Sequence, residues 1–210
     1  MNKTVIKQSV QIKAPNFKNI RFKIKGTSPL VQNKFSTKAR NMMMEKQKEG
    51  STAKGKKKRE AKNFEKCFKE SQHISTEGWN GIPAGAFRAA MISACRLVQF
   101  TMSRSKLSIF IVADGYDEDG MGLIRITKGK PHMHICPVRI RGTADIRARA
   151  MWDAGWEANL LIQHDADMLS SADITNLLRR AGLQVGICEG RPDSKDSVGM
   201  GWGTFDIIND

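Results

Sequence analysis

The sequence predicts an α+β fold in which helices cover one face of a mainly antiparallel sheet. Three observations carry this. Segments 19–25 and 155–163 alternate apolar and polar residues, as half-buried strands do. Two well-separated segments, about 84–98 and 170–181, carry apolar stripes at helical spacing. The remaining strand candidates come in runs between those helices instead of alternating with them singly.

Taken in order, Asn19–Lys25 places Ile20, Phe22 and Ile24 on one side and Arg21, Lys23 and Lys25 on the other. Gly26 ends this strand, and Thr27-Ser28-Pro29 turns the chain. Residues 37–49 suit a helix with Met42, Met43 and Met44 partly buried, and Phe64, Cys67 and Phe68 a short helix returning to the body. From Ala84 to about Val98 the stripe is Phe87, Ala90, Met91, Ala94 and Leu97, with Pro83 at a first-turn position. Leu107–Ala113, Leu123–Thr127 and His134–Ile140 read as strands, with a charged turn at Asp114–Gly120. Trp156, Ala158, Leu160 and Ile162 share one face of the strand at 155–163. Ser170 and Asp173 start a helix as a capping box does, Ile174, Leu177, Leu178 and Ala181 line its buried side, and Gly182 stops it. Thr204–Ile208 is the last strand. Four core strands and two helices in a split βαβ order make a ferredoxin-like core. The candidates around 122–150 then form an extra β lobe.

The 210 residues suit a single domain, 1–210, with a basic insertion at 45–70. Within it, Gly50–Arg59 is low in complexity and too polar to offset its ordering entropy, so a mobile loop is expected. No apolar stretch has the length of a membrane span or a signal peptide, which points to the cytoplasm and away from a membrane partner. Cys67, Cys95, Cys136 and Cys188 are widely spaced and read as free thiols.

The net charge of +14 is one-sided. Residues 1–70 hold 20 Lys/Arg and 5 Asp/Glu, whereas residues 71–210 hold 15 and 16. Such a footprint most often meets nucleic acid. Lys54, Lys56, Lys57, Lys58, Arg59 and Lys62 in the insertion, with Arg21, Lys23 and Lys25 on the first strand, are the candidate phosphate contacts. A second candidate is the glycine-rich stretch from Gly186 to Phe205. Its glycines admit a close backbone approach, Arg191 suits a phosphate, and Trp202 suits a stacked base. His132, His134 and Cys136 share one strand face, but no second ligand cluster supports a metal there. No cofactor and no metal is expected.

Ile24-Lys25-Gly26-Thr27-Ser28-Pro29-Leu30 resembles the opening strand and turn of the repeat-associated (RAMP) superfamily, and Gly182–Phe205 is similar to that family's glycine-rich loop. Together these cover about a quarter of the chain. The resemblance implies a ferredoxin-like core and a role like that of the RNA-binding backbone subunits of CRISPR effector complexes, which polymerise along single-stranded RNA. Two departures, a loop poorer in Gly and Arg and a short chain, suit a phage-encoded relative acting on single-stranded DNA in recombination or replication.

The expected function is therefore a non-enzymatic binder of single-stranded DNA or RNA that forms a homo-oligomer along the strand, in a bacterial cytoplasm. A metal-independent endoribonuclease using His132 or His134, and a structural subunit whose basic arm docks an acidic protein, are the alternatives.

Overall fold

The structure, a computed structural model, describes residues 12–35, 37–49, 62–140, 143–194 and 199–208. It is α+β, and every strand pairing in it is antiparallel.

The first strand, β1 (Phe17–Gly26), alternates as expected: Ile24 is fully buried, Ile20 and Phe22 half-buried, and Arg21, Lys23 and Lys25 exposed. Gly26 closes it for a steric reason, because a Cβ there would strike the indole of Trp156. That indole is itself buried and donates to the Ser28 carbonyl (3.0 Å). After the turn come β2 (Leu30–Gln32), then α1 (Thr37–Glu49) and α2 (Phe64–Glu70). The three methionines of α1 are exposed (46%, 57% and 48%), not partly buried, since no described element packs extensively against this helix. Asn63 caps α2 by accepting from the Lys66 amide (2.9 Å).

Next come β3 (Gly81–Pro83) and α3 (Ala84–Ala94). Phe87, Ala90, Met91 and Ala94 are buried as expected. Leu97 is half exposed, because the helix tightens into a 3₁₀ turn over Cys95–Val98 and the stripe loses its phase. The strand expected at Leu107–Ala113 is shorter than its apolar run. Met102–Ser108 is a helix, α4, which buries Ser105 and Ser108 and exposes Leu107, and only Ile109–Val112 is strand β4.

The remaining elements are β5 (Gly115–Tyr116), β6 (Gly122–Lys128), β7 (His132–Ile140), β8 (Thr143–Trp152), β9 (Glu157–Asp165), α5 (Ser171–Arg180) and β10 (Phe205–Ile207). The main sheet runs β10–β1–β9, and the far edge of β9 is shared by β4 and β6. Strands β3 and β5 pair with β6. In the β1–β9 ladder, Ile20, Phe22 and Ile24 stand opposite Ile162, Leu160 and Ala158. Those rows, with Phe87 and Met91 of α3 and Ile174 and Leu178 of α5, form one core, so both helices lie on the same side of the sheet.

The extra lobe differs from expectation in its membership. Strand β6 belongs to the main sheet, and the lobe is the β7–β8 hairpin extended by β2. Leu123 and Ile124 explain this: both are fully buried, as in a strand covered on two sides. In α5, Ser170 and Asp173 cap each other as expected. Gly182 does not stop the helix. The chain continues through a π turn, Ala181–Val185, and leaves it at Gly186 with φ +71°. Gly182 is glycine because a Cβ would collide with Phe205 of β10.

Candidate nucleic-acid interface

The strands that form the core also fix the first candidate site. Strand β1 turns Arg21, Lys23 and Lys25 to the side of the sheet away from α3 and α5. Residues 12–35 hold six lysines and arginines and no acidic residue, so this strand brings no charge of its own to neutralise them. Lys23 reaches Glu157 of β9 (3.4 Å), which also takes Lys128 (2.9 Å). The hydrogen bond from Lys128 holds the Glu157 carboxyl below the usual range. Neither Arg21 nor Lys25 meets a carboxylate among the described residues. Phe17 and Phe110 meet edge-on (5.8 Å) on the same side of the sheet.

Other cations of the N-terminal third are engaged. Lys34 donates to Asp117 (3.0 Å), and Arg40 grips both carboxylate oxygens of Asp119 (2.6 and 2.8 Å). These carboxylates occupy the charged turn at 114–120. Burial pushes Asp117 up, but the Met121 and Asp119 amides and Lys34 outweigh it and hold the group below its ordinary value. Lys62 pairs with Asp145 of β8 and donates to the Ile146 carbonyl (3.0 Å). Of the expected insertion at 45–70, residues 45–49 close α1 and residues 64–70 form α2. Lys54, Lys56, Lys57, Lys58 and Arg59 lie outside the described residues.

The glycine-rich stretch is stitched to the body by its own backbone. Glu189 N donates to Val31 O (3.0 Å), Gly203 N to Pro29 O (2.7 Å) and Ile187 N to Gly203 O (3.0 Å). Gly203 has φ +70°, and a Cβ there would strike the Ile187 carbonyl. Gly190 (φ +73°) lies under the Trp202 ring, and its carbonyl accepts the Met200 and Trp202 amides. The glycines thus let the chain approach itself, a use of small residues that the sequence does not distinguish from approach by a ligand. Trp202 is half-buried, with its ring edge-on to His134 of β7 (5.5 Å). Arg191 donates to the Cys188 carbonyl (3.1 Å).

A cleft of about 830 Å³ runs between α3 and this loop. Arg191 shares it with Arg96, from the turn after α3, and Lys106 of α4. Sequence reading missed both, and no spacing links them to Arg191. Within the cleft Arg96 donates to Asp193 (2.6 Å), whose carboxyl is held low by the Ser93 hydroxyl and by Arg96. The structure therefore joins Arg21, Lys23 and Lys25 in one row and Arg191 and Trp202 in one loop. Lys62 stands apart from both, beside the lobe. His132 lies 3.9 Å from Asp153 and His134 lies against Trp202. Among the described residues no group of three His, Cys, Asp or Glu could hold a metal ion, and no helix is long and apolar enough to cross a membrane. All four cysteines are free thiols.

No family model matches the chain, and no curated protein matches it.

Proposed function

We propose that this chain is a non-enzymatic binder of single-stranded nucleic acid that neutralises backbone phosphates through its N-terminal cations. One observation carries the reading. Arg21, Lys23 and Lys25 stand in a row at every second position of β1, on the side of the sheet opposite the helices, and two of the three have no acidic partner among the described residues. Alternate residues of a strand lie about 6.5 Å apart. That is close to the spacing of successive phosphates in an extended single strand, so one strand can follow the row. Trp202 and Arg191 supply a stacking face and a further cation on the glycine-rich loop.

The strand order β10–β1–β9–β4, with α3 leading from β1 towards β4 and α5 leading from β9 to β10, supports a ferredoxin-like reading of the core. A distant relationship to the repeat-associated superfamily and an assembly of copies side by side along the strand belong to the same proposal. Titration of the full chain with single- and double-stranded DNA and RNA at two salt concentrations tests the proposal. Tighter binding of single strands that weakens with salt is expected. Equal or absent binding of all four overturns it.

A further inference from the structure

A separate pocket of about 410 Å³ lies between α2, β8 and the segment after β2. Its lining holds Lys34, Lys62, Arg147 and Arg149 against two carboxylates, Glu70 and Asp145. Asp145 is divided between Lys62 and Arg147 (3.6 Å), so one acid answers two cations. Lys34 is drawn away to Asp117.

Arg149 is the unusual member. Its side chain is only 9% exposed. Its Nε donates to Glu189 (2.8 Å), but its Nη2 is enclosed and has no hydrogen-bond partner among the described residues. A guanidinium presents five donors in a planar fork, and a buried one with an unused arm calls for a second acceptor. Phe35 and Phe64 also line the pocket, and both remain substantially exposed (55% and 37%). A buried fork with one unpartnered arm beside two accessible rings makes a combination that suits a nucleotide. The phosphate meets the guanidinium, and the base lies on an aromatic face.

We propose that this pocket is a nucleotide subsite in which Arg149 takes a phosphate and Phe35 and Phe64 take the base. The inference rests on the single-strand binding proposed above and locates a second point of contact for the same ligand. It also reaches what the alternation Arg147-Ala148-Arg149-Ala150 does not reveal, that one of these arginines is enclosed.

The test uses the full chain and two probes. Fluorescence anisotropy with oligothymidylate compares wild type with the doubly substituted Phe35→Ala, Phe64→Ala chain, which removes two largely exposed rings and leaves the Arg149–Glu189 pair in place. NMR of the arginine side chains follows the Arg149 Nε–H signal on addition of thymidine 5′-monophosphate. The expected results are affinity lower by about tenfold or more in the double variant and a shifted Arg149 signal. Unchanged affinity together with an unmoved signal overturns the subsite, while binding of the oligonucleotide by wild type leaves the single-strand reading standing. Mononucleotide binding at Arg149 with no oligonucleotide binding does the reverse: the subsite stands and the single-strand reading falls. No response to either probe overturns both.

Discussion

His73 makes the stability of this fold depend on pH in a defined window. It follows α2, and its backbone is tied at both ends: the amide donates to Gln32 Oε1 (3.0 Å) and the carbonyl accepts from Gly81 (2.9 Å). Its ring is therefore fixed in a buried place, with Nδ1 enclosed and without a partner among the described residues. Burial, and then the Lys34 charge, lower its pKa from 6.5 to about 4, against the opposing pull of Asp117. The folded protein holds this imidazole neutral, whereas the unfolded chain protonates it near 6.5. Stability from this group is thus complete above pH 6.5 and is lost as pH falls towards 4. At about 1.4 kcal/mol per pH unit the whole window is worth ~3 kcal/mol, and most of it is gone by about pH 4.5. Urea unfolding followed by circular dichroism at about pH 7.5 and 4.5, on wild type and His73→Gln, measures it. Carboxylates held low elsewhere by hydrogen bonds and cations, such as Asp193, weaken in both proteins alike, so the difference between the two reports His73 together with its coupling to Asp117. Wild type should lose about 2 kcal/mol more than the variant across this range. Equal losses would refute the burial argument.

Three further outcomes are expected. Gly182→Ala places a Cβ against the Phe205 carbonyl and within 2.8 Å of its ring, which forces β10 from β1; a cost on the order of 3 kcal/mol is expected, and an unchanged melting temperature would contradict the packing described. Trp202→Ala should weaken oligothymidylate binding about tenfold by anisotropy, with His134→Ala, which only frees the ring, weakening it less; equal affinity of all three proteins removes Trp202 from the interface. Ser170→Ala removes the α5 cap and should lower the urea-unfolding free energy by about 1 kcal/mol, with no effect on oligonucleotide affinity.

What the sequence made legible was local. Ile20, Phe22 and Ile24 announce β1, Ala158, Leu160 and Ile162 announce β9, and Ser170 with Asp173 announces α5, because period and capping act within a few residues. The misreadings have the opposite character. In α4 burial runs against polarity, with Ser105 and Ser108 buried and Leu107 exposed, so the helix carries no apolar stripe and takes the first two residues of the run read as a strand. Gly182 looks like a helix stop, but its reason is Phe205, distant in the chain. The charge footprint is visible in the sequence, but its neutralisation is not. Lys34 finds Asp117 and Arg40 finds Asp119 only after the chain folds. The row of Arg21, Lys23 and Lys25 can be read because one strand carries it. Arg149 cannot, because Glu189, which engages it, comes from the loop after α5.

The most direct test of backbone binding is the salt dependence of affinity for oligothymidylate, compared between wild type and the triple variant Arg21→Ser, Lys23→Ser, Lys25→Ser. Each phosphate neutralised on a single strand contributes about −0.7 to the slope of log K against log salt. Removing the row should weaken binding and flatten that slope by about 2 if all three residues meet phosphates. A triple variant that stays folded and keeps both the wild-type affinity and the wild-type slope would contradict binding through β1.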